Sequence, residues 1–161
     1  MARADRVYLE TTIISYLTAR PSRDLVVAGH QMLTRSWWDY RKPAFSVYIS
    51  ELVVQEAKAG DADAANARLD LISDLPVLHL KPIASALAKD LLVQGALPSK
   101  AVEDALHIAI CASHAIEFML TRNCKHLANA RMRPVIERVC RGHHLPAPII
   151  CTPEELMEGP P

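Results

Sequence analysis

The chain has 161 residues, of which 50% are hydrophobic and 22% charged, an ordinary composition for a globular protein. Its 18 basic and 18 acidic residues give a formal net charge of +0, which excludes a bulk attraction for nucleic acids or acidic membranes. Any contact with a polyanion must therefore come from a local patch. No linker or repeat divides the chain, so we expect a single domain over residues 1–161.

Short apolar runs with the composition of β-strands alternate with segments of helical periodicity. Short strands alternating with helices are typical of a parallel sheet covered by helices on both faces, and they predict an α/β fold. The five predicted strands are Val7–Leu9, Ala44–Tyr48, Val77–Leu80, Phe118–Thr121 and Ile149–Cys151.

Helix-start signals precede several of the segments between these strands. Asp and Ser side chains cap helices, proline fits a first helical position, and T-x-x-E forms a capping box. An apolar pattern between Pro21 and Pro43 also has helical spacing. The predicted helices are 62–73 after Asp61, 83–93 after Pro82, 100–114 after Ser99, and a short terminal helix after Thr152.

Charge is distributed unevenly along the chain. Acidic residues outnumber basic ones six to two between residues 51 and 74, and basic residues outnumber acidic ones six to one between residues 122 and 141. Such stretches usually form solvated faces. The functional alternative, which the sequence leaves open, is a basic strip beside an acidic pocket.

Four polar residues occupy unusual positions relative to the predicted elements. In an open α/β sheet, ligands bind at the edge where the strands have their carboxyl ends. Carboxylates brought together there repel each other unless a cation intervenes, and Mg²⁺ or Mn²⁺ prefers oxygen ligands. The pattern therefore indicates a divalent-cation site suited to phosphate chemistry. Its members are Glu10 after the first strand, Glu56 in the helical segment 50–59, Asp104 in the helix 100–114, and Asn123 after the fourth strand.

Each of these residues also has a structural interpretation. The Glu10 carboxylate could cap the helix that follows it, Glu56 could be a surface acid, and Asn123 could be a turn residue. Asp104 is harder to explain in this way because its helix is strongly apolar. His107, one turn from Asp104, is more often a hydrogen-bonded interior histidine than a metal ligand.

The cysteines and the apolar segments limit other functions. The four cysteines show no CxxC spacing, which argues against a zinc ribbon or a thioredoxin-like motif, and free thiols suit a reducing cytosol. The segment Met1–Arg6 is too short for a signal peptide, and no apolar run approaches the roughly 18 residues that span a bilayer. We therefore expect a soluble cytoplasmic protein with no membrane partner. Phosphotransfer lacks support because neither DxDxT nor GxxxxGK[ST] is present.

Four sequence blocks stand in order along almost the whole chain. They are YLETT at residues 8–12, S-x-x-x-x-x-E at 50–56, D-A-L-H-I-A at 104–109 and T-R-N-C-K-H at 121–126. Together with the closing TPEEL at 152–156, these blocks resemble the PIN domain family, in the branch of VapC-like ribonuclease toxins that begins with YLETT.

The resemblance implies a three-layer α/β/α sandwich with a central parallel sheet of about five strands. It also implies a Mg²⁺- or Mn²⁺-dependent endoribonuclease that hydrolyses RNA phosphodiesters, as the toxin of a type II toxin–antitoxin system. Homodimerisation and a cognate antitoxin are further implications. The candidate catalytic residues are Glu10, Glu56, Asp104, Asn123 and Thr121, of which Glu10, Glu56 and Asp104 are the metal ligands. The candidate RNA-binding residues are Thr11, Arg122, Lys125 and His126.

Three residues depart from the usual pattern of this family. Glu10 stands where most members have Asp, Asn123 stands where many have Asp, and Arg122 stands where this branch usually has Trp. The lost charge at Asn123 favours one bound ion over two, and Arg122 is a candidate for binding phosphate. The rival hypothesis is an RNA- or protein-binding module on the same fold whose acidic pocket has lost its activity.

Overall fold

A computed structural model describes residues 3–158, so the two ends of the predicted domain, residues 1–2 and 159–161, lie outside the described residues. The strands are β1 (Arg6–Leu9), β2 (Ser46–Ser50), β3 (Val77–Leu78), β4 (Phe118–Leu120) and β5 (Ile149–Cys151). The helices are α1 (Thr11–Thr18), α2 (Leu25–Ser36), α3 (Glu51–Ala57), α4 (Ala62–Ile72), α5 (Pro82–Val93), α6 (Val102–Ser113) and α7 (Arg133–Gly142). Shorter helical turns span Trp37–Arg41, Lys42–Ala44 and Pro153–Leu156.

The five strands form one parallel sheet in the order β3-β2-β1-β4-β5. The chain winds outward from β1 to β3 and then crosses back to β4, on the other side of β1. The direction of winding therefore reverses between β1 and β4. Residues 7–9 of β1 are fully buried, as expected for a central parallel strand covered on both faces.

The helices form two layers around the sheet. Helix α1 packs against α2, α3 and α4, whereas α5 packs against α6 and α7. Because parallel crossovers are right-handed, reversing the direction of winding places the second group on the opposite face. The predicted α/β/α sandwich with five parallel strands is thus confirmed. Within residues 3–158, no helix combines the length and apolarity that crossing a membrane requires.

Several local signals in the sequence are confirmed. Asp61 caps α4 by accepting a hydrogen bond from the amide of Ala64 at 3.0 Å, and α5 begins at Pro82 as expected. Thr152 and Glu155 form the predicted capping box, which starts the turn Pro153–Leu156. These signals act within one helical turn, so the sequence alone specifies them.

Two predicted helices differ from the observed ones in informative ways. The helix placed over 100–114 with Ser99 as its cap begins at Val102, because the chain turns at Pro98, whose carbonyl accepts a hydrogen bond from the amide of Ala101 at 2.9 Å. Asp104 therefore lies in the first turn of α6. The region between Pro21 and Pro43 is helical as predicted, but its apolar residues at 25, 26 and 32 are exposed and its buried contacts come from Thr34 and Trp37.

Helix α7 was not predicted. Pro134 lies at its start, and its three arginines belong to the basic stretch 122–141, for which a solvated face is the usual interpretation. Its buried residues Ile136, Val139 and Cys140 nevertheless follow the i, i+3, i+4 pattern of an amphipathic helix. That periodicity was the signal that would have identified the helix.

The four cysteines are free, and only Cys124 is exposed. Burial raises the pKa of Cys111 well above its usual range, that of Cys140 to about 11 and that of Cys151 to about 12. Since the thiolate is the reactive form, we expect one rapidly reacting thiol per native molecule and four after unfolding. Titration with a chromogenic disulfide, before and after addition of guanidinium chloride, measures both numbers. Two fast thiols in the native protein would contradict the buried positions.

Candidate active site at the carboxyl edge of the sheet

The carboxyl ends of β1 and β4 form the edge that carries the candidate site. Leu9 pairs with Leu120, and the amide of Glu10 donates a hydrogen bond to the carbonyl of Leu120 at 3.0 Å. The winding of the sheet reverses between these two strands, which is where ligands bind in open α/β folds. Glu10 and Asn123 therefore follow neighbouring strands of the sheet.

Glu10 is buried, and the protein holds only one of its two carboxylate oxygens. Its Oε2 accepts hydrogen bonds from the amide of Thr12 at 3.2 Å, from the hydroxyl of Thr12, and from the hydroxyl of Thr121 at 2.8 Å. The interpretation of Glu10 as the cap of α1 is thus confirmed. None of the described residues donates to Oε1, which solvent reaches, so capping leaves one oxygen open.

Glu56 is held in the same one-sided way. Its Oε1 accepts hydrogen bonds from His107 Nε2 at 2.6 Å and from the hydroxyl of Thr11 at 3.1 Å, and no described residue donates to Oε2. Burial by itself would raise the pKa of Glu56, but the hydrogen bonds from His107 and Thr11 outweigh burial and lower the pKa from its ordinary value. Glu56 is therefore an anion at neutral pH.

Asp104 accepts hydrogen bonds from two residues of the segment that follows β4. His126 Nδ1 lies 2.9 Å from Asp104 Oδ2, and the side-chain amide of Asn123 donates to both carboxylate oxygens at 3.3 and 3.4 Å. The oxygen of Asn123 accepts a hydrogen bond from the amide of His126 at 3.1 Å. In this arrangement the side-chain amide of Asn123 donates to Asp104 while its oxygen accepts from the backbone.

Thr121 connects Glu10 to the segment that holds Asp104. Its hydroxyl accepts a hydrogen bond from the amide of Asn123 at 2.9 Å while donating to Glu10. The amide of Arg122 in turn donates to the hydroxyl of Thr12 at 2.8 Å. The segment after β4 is thereby fixed against the start of α1, and Glu10 and the residues around Asp104 share one hydrogen-bonded frame.

The chemistry of the donor set fits a hard divalent cation, although no complete cage is present. Within residues 3–158, no three or more His, Cys, Asp or Glu side chains are close enough together to hold a metal ion. Mg²⁺ does not require such a cage, because it keeps several waters and usually takes one or two carboxylates together with phosphate oxygens. The open oxygens of Glu10 and Glu56 are hard donor atoms, as this cation requires.

The structure gives Arg122 a role different from the predicted phosphate contact. Its side chain is 2% exposed, and its guanidinium donates to the carboxylate of Glu154 at 2.6 and 2.7 Å. It also donates to the hydroxyl of Thr34 at 2.8 Å and to the carbonyl of His30 at 2.9 Å. The guanidinium is turned inward and makes these four hydrogen bonds, so Arg122 joins the end of β4 to α2 and to the terminal turn.

The other predicted RNA-binding residues divide into two groups. Thr11 and His126 bind the carboxylates of Glu56 and Asp104 directly, so they lie within the site. Lys125 is exposed, and its ammonium makes no hydrogen bond or ion pair with a described residue. Lys125 is therefore the member of the set that offers a positive charge to solvent.

The sequence analysis did not predict the buried hydrogen bonds that lead to Glu56. His107 is an interior histidine with both ring nitrogens bonded, as was expected of it in isolation, but its partners Tyr8 and Glu56 were not foreseen. The hydroxyl of Tyr8 also contacts that of Ser50 at 2.7 Å. A tyrosine inside a central strand was the available signal, because a buried phenol almost always has a hydrogen-bond partner.

No protein-family model matches the chain, and no curated protein matches it significantly in sequence. In structure it is similar to VapC20 of Mycobacterium tuberculosis, a toxin that cleaves the sarcin-ricin loop, with a TM-score of 0.59 and 16% identity over 76% of this chain and 93% of that chain. It is also similar to VapBC2 of Rickettsia felis, solved bound to a DNA fragment from their promoter, with a TM-score of 0.58 and 15% identity over 91% and 98% of the two chains. At such identities the similarity shows the fold, and the protein thus has the α/β/α fold of the VapC toxins.

Proposed function

We propose that the protein is a Mg²⁺- or Mn²⁺-dependent endoribonuclease that acts as the toxin of a type II toxin–antitoxin system. The observation that carries this proposal is the one-sided binding of Glu10 and Glu56. In each, protein donors hold one oxygen and leave the other open, at the edge where the winding of the sheet reverses. A carboxylate oxygen that is removed from bulk water and meets no protein donor is costly unless a cation or a water binds it.

Some residues of the site would bind the cation, and others orient the side chains that bind it. Glu10 and Glu56 would hold Mg²⁺ or Mn²⁺ through their open oxygens, with Asp104 as the third carboxylate. When bound, the ion supplies Lewis-acid stabilisation of the charge that develops on a phosphodiester. Thr121 orients Glu10, and Asn123 orients Asp104. Because Asn123 is neutral where many members of the family have an aspartate, we expect one bound ion and not two.

An exposed lysine and the structural similarities support the proposed partners. Lys125 presents a free ammonium beside the site, which suits a contact with the RNA backbone in a protein of zero net charge. The likeness to VapC20 and VapBC2 supports a cognate antitoxin as part of the same proposal. Homodimerisation stays a prediction from the sequence resemblance, and a cytoplasmic location stays a prediction from the cysteines and apolar segments of the sequence.

Titration with Mn²⁺ tests the metal site. We expect saturable binding to the parent protein, and binding weaker by at least about 10-fold in Glu56→Gln, because the open anionic oxygen is replaced by a neutral group. Isothermal titration calorimetry or the electron paramagnetic resonance of free Mn²⁺ measures both affinities. Parallel assays should show RNA cleavage that requires Mg²⁺ or Mn²⁺ and stops when a chelator is added.

The matched control is Glu51→Gln, which removes an exposed acid from the same helix α3. This variant should bind Mn²⁺ as the parent does. If the parent shows no saturable binding near physiological metal concentrations, the rival hypothesis of a binding module with an inactive pocket is favoured. If both variants lose affinity equally, the effect is general electrostatics and not a ligand at position 56.

A further inference from the structure

A chain of buried hydrogen bonds leads from the end of β2 to Glu56. The hydroxyl of Ser50 lies 2.7 Å from that of Tyr8, the hydroxyl of Tyr8 lies 2.6 Å from His107 Nδ1, and His107 Nε2 lies 2.6 Å from Glu56 Oε1. Ser50, Tyr8 and His107 are at most 1% exposed. Only the last member, Glu56, is partly exposed to solvent.

The available donors and acceptors allow one direction of proton donation along these hydrogen bonds, from Ser50 towards Glu56. The amide of Val53 donates to Ser50 Oγ at 3.3 Å, so Ser50 can donate its own proton to Tyr8, and Tyr8 can donate to His107 Nδ1. His107 is then neutral, with its proton on Nε2 pointing at the Glu56 carboxylate. A doubly protonated His107 would donate to Tyr8, and Tyr8 would donate to Ser50. The Ser50 proton would then have no acceptor among the described residues.

The two inner members of this hydrogen-bonded chain belong to the centre of the sheet. Tyr8 lies in the central strand β1, and Ser50 ends the neighbouring strand β2, so both anchors belong to the most rigid part of the sheet. A buried polar network with every group satisfied is stiff, because each bond broken leaves an unpaired polar group in the core.

We propose that Tyr8 and His107 are positioning residues that hold the Glu56 carboxylate in the orientation needed to bind the metal. This inference rests on the proposed function, in which Glu56 is a ligand. His107 and Thr11 both donate to Oε1, so rotation of the carboxylate is blocked from two sides and Oε2 stays directed away from both donors. Groups that orient a metal ligand in this way are an integral part of metal sites.

Two substitutions at position 107 separate positioning from packing. In His107→Gln the amide nitrogen can occupy the position of Nε2 and still donate to Glu56. In His107→Asn the shorter side chain reaches only the position of Nδ1, so the contact with Tyr8 remains and that with Glu56 is lost. We expect Mn²⁺ affinity to fall by about 10- to 100-fold in His107→Asn and by less than about 10-fold in His107→Gln.

Ring spectroscopy of the metal-free parent provides a measurement that needs no variant to fold. Long-range ¹H–¹⁵N spectra of the histidine rings should show His107 as the neutral tautomer with its proton on Nε2, and Tyr8→Phe should perturb its Nδ1 resonance. A neutral ring with its proton on Nδ1 would overturn the proposal, because Nε2 could then not donate to Glu56.

Metal titration of the folded variants is the second test of the proposal. A much larger loss in His107→Asn than in His107→Gln supports positioning, and equal affinities in the two variants overturn it. A parent that binds no Mn²⁺ contradicts the proposed function instead. In that case the ring spectrum of the parent still decides whether the hydrogen-bonded chain has the stated direction.

Discussion

Replacing Asp104 with asparagine is expected to lower metal-dependent RNA cleavage by at least about 100-fold, more than the roughly 10- to 100-fold typical of groups that only orient a metal ligand. The substitution removes the negative charge of the third carboxylate while preserving its shape. Asparagine can still accept a hydrogen bond from His126 or Asn123, so the segment after β4 should keep its place. Cleavage of a labelled RNA under single-turnover conditions with Mg²⁺ or Mn²⁺ measures the loss.

Glu103→Gln is the matched control for this experiment. Glu103 and Asp104 both lie in the first turn of α6, where a negative charge stabilises the helix, but Glu103 is exposed. Both variants should therefore lose a similar small amount of stability, within about 1 kcal/mol, in urea unfolding. Only Asp104→Asn should lose cleavage. Parent-like cleavage by a folded Asp104→Asn variant would show that Asp104 is not part of the catalytic set.

Replacing Arg122 with alanine is expected to lower the free energy of unfolding by about 3 kcal/mol, because it removes the buried partner of a half-buried, hydrogen-bonded ion pair. The guanidinium makes four hydrogen bonds that join three parts of the chain, through Glu154, Thr34 and His30. Alanine removes all four of these bonds. Urea unfolding followed by circular dichroism measures the change.

Arg122→Lys distinguishes the effect of the planar guanidinium from that of a positive charge alone. Lysine keeps the charge but cannot reproduce the planar, multidentate geometry, so it should recover less than half of the lost stability. Arg3→Ala is the control, because the pair of Arg3 with Glu117 is exposed and should contribute no more than about 1 kcal/mol. Full stability in Arg122→Lys would mean that charge alone matters at this position.

The contribution of the Arg122–Glu154 pair should depend on pH. Burial by itself would raise the pKa of Glu154, but the hydrogen bonds and charge of Arg122 outweigh burial and lower it below its ordinary value. Because the folded-state pKa is the lower one, the stabilisation is complete above the ordinary carboxyl value of about 4.3 and is lost as the pH falls through the folded-state pKa. The difference in stability between the parent and Arg122→Ala should therefore narrow in acid.

Local patterns in the sequence were sufficient to predict the five strands and several of the helices between them, although not α7. The strand at Ile149–Cys151, the start of α5 at Pro82 and the cap at Asp61 all depend on backbone preferences within about one helical turn. The same reasoning placed Glu10 at the end of a strand. It failed at the start of α6, where the turn after Pro98 and not a capping serine determines the first helical residue.

The sequence by itself determined the fold class and the acidic residues that line the carboxyl edge of the sheet. The tertiary structure decided what each of those residues does there. Thr121 binds Glu10 across 111 positions of sequence, and Tyr8 reaches His107 across 99, so no local pattern contains these contacts. Only the packing of rigid strands and helices brings such partners together. The same packing turns Arg122 inward and leaves open the one oxygen of Glu56 on which the proposed activity depends.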